Sequence, residues 1–236
     1  MGCRGENHLL REVGVAAGKQ DGLPRLRHAH SGRNRTAHFE PQTLGAICRE
    51  WLLDPLGATT LSFNLPDDKG LMVTSPEAEG PYDACMPQVL GHPAGGATCT
   101  LRDALKPLRL HLTEGVWQGQ TLLDHEVFTE MHTVQYAGQI AEAASKGEKS
   151  MHEPWGLGWL LRGNGPACEA VMWFGMSGQT EPRVFGHAGI DTIIGVAHPG
   201  LGVAFVFNTT RSPKSVEETV RLRNEVTDQV FGAVEA

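Results

Sequence analysis

The sequence predicts an α+β fold: an antiparallel β-sheet flanked by helices. Three observations predict it. Apolar residues recur at helical spacing between Pro41 and Ala144, and short β-branched or aromatic runs bounded by Gly, Pro and Asn follow from Pro154. Helical spacing then returns after Ser212, which puts a closing helix on the sheet. At 236 residues the chain has the size of one domain, or of most of a larger one. Its 29 Gly and 14 Pro beside a 40% apolar share suit a loop-rich globular protein.

Residues 1–40 form a basic arm with seven Lys and Arg against four Asp and Glu. They show neither period and offer little to bury, so the arm is expected to be flexible. His28, His30 and His38 lie within it and are read as an incidental cluster, with no metal assigned. The remaining residues, 41–236, are read as the folded, partial domain. Leu44, Ile47, Trp51 and Leu52 make one helical face, and the helix is expected to stop before Pro55-Leu56-Gly57. Asp67-Asp68-Lys69-Gly70 is turn chemistry, and residues 91–96 form a glycine-rich bend. Thr100 then caps a helix, with the Asp103 carboxylate in its first turn. Pro107 either kinks that helix or marks a late start.

Two shorter helices are expected at 122–131 and 136–144. Strands are expected at 155–161, 170–174, 190–197 and 202–207. The last helix begins at Ser212 or Pro213, with Glu217 and Glu218 early and Val216, Val220, Leu222, Val226 and Val230 on its apolar side.

Charge and composition exclude several function classes. A net charge of -7 argues against a nucleic-acid partner, which needs clustered cations. No apolar run approaches the roughly 20 residues of a membrane helix, and Val13-Gly14-Val15-Ala16-Ala17 is too short and glycine-broken for a secretory core. Cys3, Cys48, Cys85, Cys99 and Cys168 are odd in number and lack C-x-x-C spacing, so neither a disulfide framework nor a structural zinc is expected. The compartment is unknown, with a reduced cytoplasmic setting as the default.

Four segments carry a recognisable order. They are Asp54-Pro55-Leu56-Gly57 with Ser62-Phe63, Pro93-Ala94-Gly95-Gly96 with Thr100-x-Arg102-Asp103, Trp155-Gly156-Leu157-Gly158-Trp159, and His187-Ala188-Gly189. The last opens two apolar strands joined by a His198-Pro199-Gly200 turn. Together they resemble the serine β-lactamase and penicillin-binding-protein family, in its class C-like, esterase-type branch, over about residues 41–232. The resemblance implies a β-lactamase/transpeptidase-like domain truncated at its N-terminus. It also implies acylation of a serine by a small ester or amide, then hydrolysis or transfer, with no cofactor. His187, Ala188 and Gly189 would line the pocket, and the N–H of Ile190 would be half of the oxyanion hole.

The sequence departs from that family where the attack begins. A serine needs a neighbouring base to attack a carbonyl, and the family supplies it as Ser-x-x-Lys. Ser31, Ser62, Ser75, Ser145, Ser150, Ser177, Ser212 and Ser215 all lack a lysine three residues on. Tyr-x-Asn is missing too, since Ala84 and Gly138 follow Tyr82 and Tyr136 at that spacing. No catalytic residue is therefore identified, and the chain is expected to be silent as a hydrolase by itself. The alternative is a non-catalytic pseudoenzyme or subunit, with self-association through exposed sheet. His187 in place of a lysine would be mostly neutral at pH 7, which favours neutral esters over anionic lactams. Ser177 in Gly175-Met176-Ser177-Gly178 nearly spells a nucleophile elbow, and Ser177, His187 and Asp191 make a conceivable triad.

Overall fold

The computed structural model describes residues 44–62, 97–189, 193–209 and 213–235. The arm at 1–40, the turn at 67–70, the bend at 91–96, Phe63, Ile190, Asp191 and Ser212 lie outside the described residues. Those described belong to the unit Pro41–Ala236.

The first helix passes the point where the sequence places its stop. Helix α1, Leu44–Cys48, continues through a π-helical turn at Arg49–Leu53 into α2, Asp54–Leu56. The widened turn bonds the Asp54 N–H to the Arg49 carbonyl and leaves Pro55 at the start of α2, where a missing N–H costs little. Gly57, at φ +64°, ends the run in the left-handed region. Leu53 and Leu56 pack on Ala58 and Leu110, whereas Trp51 is exposed.

Helix α3, Leu101–Leu112, begins where the cap predicts: the Thr100 hydroxyl accepts the Asp103 N–H at 3.3 Å. Pro107 lies inside this helix, so a late start there is ruled out. A small hairpin that sequence reading missed follows, β1 Val116–Trp117 with β2 Gln120–Thr121. Gln118 and Gly119, at φ 50° and 80°, form its two-residue turn. Leu122 and Leu123 bond back to the Gly115 carbonyl, so α4 starts only at His125 and runs His125–Met131. Helix α5 is Ala137–Ser145, as expected to within one residue at each end.

The sheet is an antiparallel meander of β3 Leu160–Leu161, β4 Phe185–Ala188, β5 Ile194–His198 and β6 Val203–Phe207, in that order. Three strand expectations need correction. The run 155–161 is a tight reversal, with Trp155 bridged to Leu160, the Gly156 N–H on the Trp159 carbonyl, and Gly158 at φ +88°. The run 170–174 is helical instead, as α6, Glu169–Trp173. Five apolar residues carry no period that tells helix from strand, and Glu169 in the first turn tips the balance. Third, His187-Ala188-Gly189 does not open the strand before the His198 turn. It closes a separate strand, β4, after which Gly189 N–H bonds the Ile193 carbonyl at 3.0 Å and the chain returns as β5.

The core lies on both faces of the sheet. Leu108 of α3 meets Leu161, Phe185 and Ala197 on one face. On the other, Leu160, Ile194 and Val196 pack with Val171, Met176 and Phe231. Each such side chain contributes about 1.5–3 kcal/mol on full burial. Helix α7, Val216–Glu235, closes this second face. It starts after Ser215, whose hydroxyl accepts the Glu218 N–H at 3.2 Å while Glu218 accepts the Lys214 N–H at 2.7 Å. Its buried stripe is Thr219, Arg223, Thr227 and Phe231; of the valines, Val230 packs part-buried against the core and Val216 is exposed.

Candidate functional site

Strand β4 carries His187 towards the turn end of the β4–β5 hairpin, opposite Gly195. Two aromatic rings frame it. Phe174, just past α6, meets the imidazole at 5.4 Å and 87°, and Trp155 lies at 5.8 Å and 56°. These rings also pack edge-on against each other at 5.2 Å. Trp155 is oriented by its indole N–H, which donates to Glu153 at 3.2 Å. The outer side of His187 stays open to solvent. Desolvation beneath the rings lowers its pKa from the ordinary histidine value, against an opposing hydrogen bond to the Ala188 backbone. The ring is therefore neutral at pH 7.

Ala188 and Gly189 are half-buried behind it. Arg223 of α7, fully buried, donates to the Gly189 carbonyl at 2.6 Å and to the Trp173 carbonyl at 3.1 Å. Its guanidinium lies over the Trp173 ring at 4.6 Å. One cation thus joins the end of β4 to α6 and to α7. Ile190, the implied oxyanion donor, lies outside the described residues. A cavity of about 230 Å³ opens beside Phe174, lined also by Glu153, Met172 and Trp173, but His187 does not line it.

Ser177 is engaged elsewhere. Its hydroxyl donates to the Asn224 side-chain carbonyl, which also accepts the Ser177 N–H at 2.8 Å. The Asn224 amide in turn donates to the carbonyls of Met172 and Val220 at 2.8 and 2.7 Å. A carboxamide is no general base, and among the described residues no hydrogen bond joins Ser177 to His187. Asp191, the third member of the conceivable triad, lies outside the described residues. The engagement of Ser177 by Asn224 sets the triad aside. Ser177 fastens α7 to the turn after α6.

Asp103 is a brace. It accepts the Thr60 N–H at 2.7 Å and hydroxyl at 2.6 Å, and pairs with Lys106 at 2.7 Å. Burial opposes its ionisation, but the hydrogen bonds from Lys106 and Thr60 outweigh that and hold its pKa near 2. Sequence reading also missed a histidine pair. His111 Nδ1 and His132 Nε2 are 2.9 Å apart, and the Trp159 indole N–H donates to His111 Nε2 at 3.3 Å. That donation leaves the His111 proton on Nδ1, so His111 donates to His132. Burial pushes both down to about 4, with the His132 charge adding to the effect on His111. The only sequence signal was position: His111 follows Leu108 by three on the buried face of α3.

Among the described residues no group of three or more His, Cys, Asp or Glu is arranged to hold a metal ion. No described helix is long and apolar enough to cross a membrane.

The β-lactamase family model matches residues 35–228. Among solved structures, the chain is similar to a β-lactamase from Mycobacterium bovis, at 21% identity and a TM-score of 0.51, over 80% of this chain and 56% of that one. It is also similar to a novel penicillin-binding protein homologue from Caulobacter crescentus, at 18% identity and a TM-score of 0.48, over 79% and 52%. The chain spans about half the length of these structures. No curated protein matches its sequence.

Proposed function

This chain belongs to the β-lactamase family, and on that premise we propose that it forms the wall of a serine acyl-transfer site that does not carry the nucleophile. A β-lactamase-related fold goes with hydrolase-type chemistry. In that chemistry the reaction needs an activated hydroxyl, an oxyanion hole and a surface that holds the acyl group. The residues of β4 supply the third of these. The open face of His187, backed by Phe174 and Trp155, holds a small neutral ester or amide.

The neutral ring selects among ligands. A lysine at this position would attract a carboxylate, whereas neutral imidazole donates or accepts a single hydrogen bond without a charge. One oxyanion donor lowers an acyl-transfer barrier by about 3 kcal/mol, which accelerates nothing without an attacking group. No serine in the sequence has a lysine three residues on, and Ser177 faces an amide. By itself the chain binds and does not turn over.

The observation that carries this reading is a neutral, half-framed His187 at the His-x-Gly position of a chain without Ser-x-x-Lys. The test is an NMR titration of the His187 ring with a short-chain neutral ester. Saturable shifts at His187, lost in Phe174→Ala, support it; shifts scattered over the surface, or none, refute it.

A further inference from the structure

The histidine pair stands apart from the wall proposed above, yet it joins the elements that hold that wall. His111 of α3 and His132, which caps the end of α4, sit among the rings of Phe128, Trp159 and Phe185. The Trp159 N–H donates to His111, and His111 donates to His132, so the chain of hydrogen bonds runs one way. A proton added to His111 Nε2 meets the indole N–H. One added to His132 Nε2 meets the His111 N–H. Either sets two donors face to face.

Neighbouring charges on the packed elements are engaged elsewhere. On α3, Asp103 pairs with Lys106, Arg109 lies over Trp117 at 5.3 Å, and Arg102 is exposed. On α4, His125, Glu126 and Glu130 are exposed. Glu153 holds the Trp155 indole, and His187 of β4 lies against Trp155 and Phe174. Burial acts on both rings of the pair, and the charge that acts on His111 is that of His132.

Helix α4 is weakly held, since none of its residues is buried. Its last carbonyl, on Met131, accepts the Leu157 N–H at 3.0 Å, and just beyond it the Gln135 N–H donates to the Trp155 carbonyl at 2.9 Å. A Cβ on Gly156 would collide with the Met131 carbonyl oxygen, so the two backbones touch there. The end of α4 thus supports the reversal that brings Trp155 to His187.

We propose that the His111–His132 pair is an acid-sensitive latch on this support: protonation frees α4 and the 155–159 reversal from α3 and withdraws Trp155 from His187. Its effect on a ligand rests on the wall proposed above; the latch itself does not. The closed rings titrate near 4 against an ordinary 6.5. Below pH 6.5 the opened segment takes up protons that the closed one refuses, so opening grows as pH falls towards 4.

The test follows amide hydrogen exchange of the full chain by NMR at pH 7 and 5, corrected for intrinsic rates, with and without low urea. The Gln135 and Leu157 amides should open more readily than those of β5 and without dependence on urea, the mark of local opening. Their opening should rise at least tenfold at pH 5. His111→Phe/His132→Leu should abolish the rise. Gly156→Ala, which leaves both histidines in place, should open Leu157 at pH 7 and shift the His187 ring resonances. Three results would overturn the proposal: no rise at pH 5, exchange at both amides that coincides with β5 in rate and urea dependence, and His187 resonances unmoved in Gly156→Ala. Acid-driven local opening in a protein that binds no neutral ester at pH 7 would refute the wall and uphold the latch.

Discussion

Arg223 donates from Nη2 to the Gly189 carbonyl at 2.6 Å across 34 residues of sequence. The same guanidinium holds the Trp173 carbonyl at 3.1 Å, one residue before the Phe174 that frames His187. The position of His187 is therefore set by a cation on the terminal helix. Removing it leaves two carbonyls short of a donor in a buried place. Arg223→Met should cost about 3 kcal/mol in urea unfolding, and Arg223→Lys should recover only part, because an ammonium cannot reach both acceptors as a fork does. A loss below about 0.5 kcal/mol, the range of an ordinary surface change, would contradict this account.

The histidine pair makes stability fall on acidification. His111 and His132 have folded-state values near 4 against an ordinary 6.5. Below pH 6.5 the unfolded chain takes up protons that the folded one refuses, so stability is fully present above that pH and is lost as pH falls towards 4. The loss should reach about 3 kcal/mol for the coupled pair. Urea midpoints at pH 7.5, 6 and 5 measure it, and replacing both residues with apolar side chains of similar size should flatten the dependence over that window.

Asp103 acts over a lower range. Its folded value near 2 lies below the ordinary 3.8, so its contribution is present above pH 4 and disappears as pH falls through 2. At neutral pH, Asp103→Ala removes the acceptor of both Thr60 groups and the Lys106 partner. A cost of about 2 kcal/mol is expected, with hydrogen exchange rising first at residues 57–62.

His187 should titrate below the usual histidine range because two rings desolvate it. Phe174→Ala opens one side to water and should move its pKa back up towards 6.5, as read from the imidazole resonances. An unchanged value would mean that the rings do not control the charge of this residue.

Where chemistry is local, the sequence was readable. Thr100 with Asp103 three residues on marks a cap, and the cap is there. Short apolar runs on either side of His198-Pro199-Gly200 mark the β5–β6 turn, and the strands pair as an antiparallel meander. Where tertiary contacts decide, it was not. The apolar run at 170–174 has no period of its own and becomes helix α6. A buried arginine inside a helix otherwise marked by valines gives no sign of Gly189 as its acceptor. His111 and His132 are 21 residues apart, and only the folded chain brings them together. For the site, His187, Ala188 and Gly189 were proposed from resemblance alone, and their strand was placed wrongly: they close β4, and Gly189 bonds back to Ile193 before β5 begins.

The central claim is that this chain carries a pocket wall without a nucleophile. Intact-mass spectrometry of the folded protein, after exposure to a fluorophosphonate serine probe, tests it most directly. The account predicts an unmodified mass. A stoichiometric adduct that disappears in Ser177→Ala would contradict it and restore Ser177 as the nucleophile.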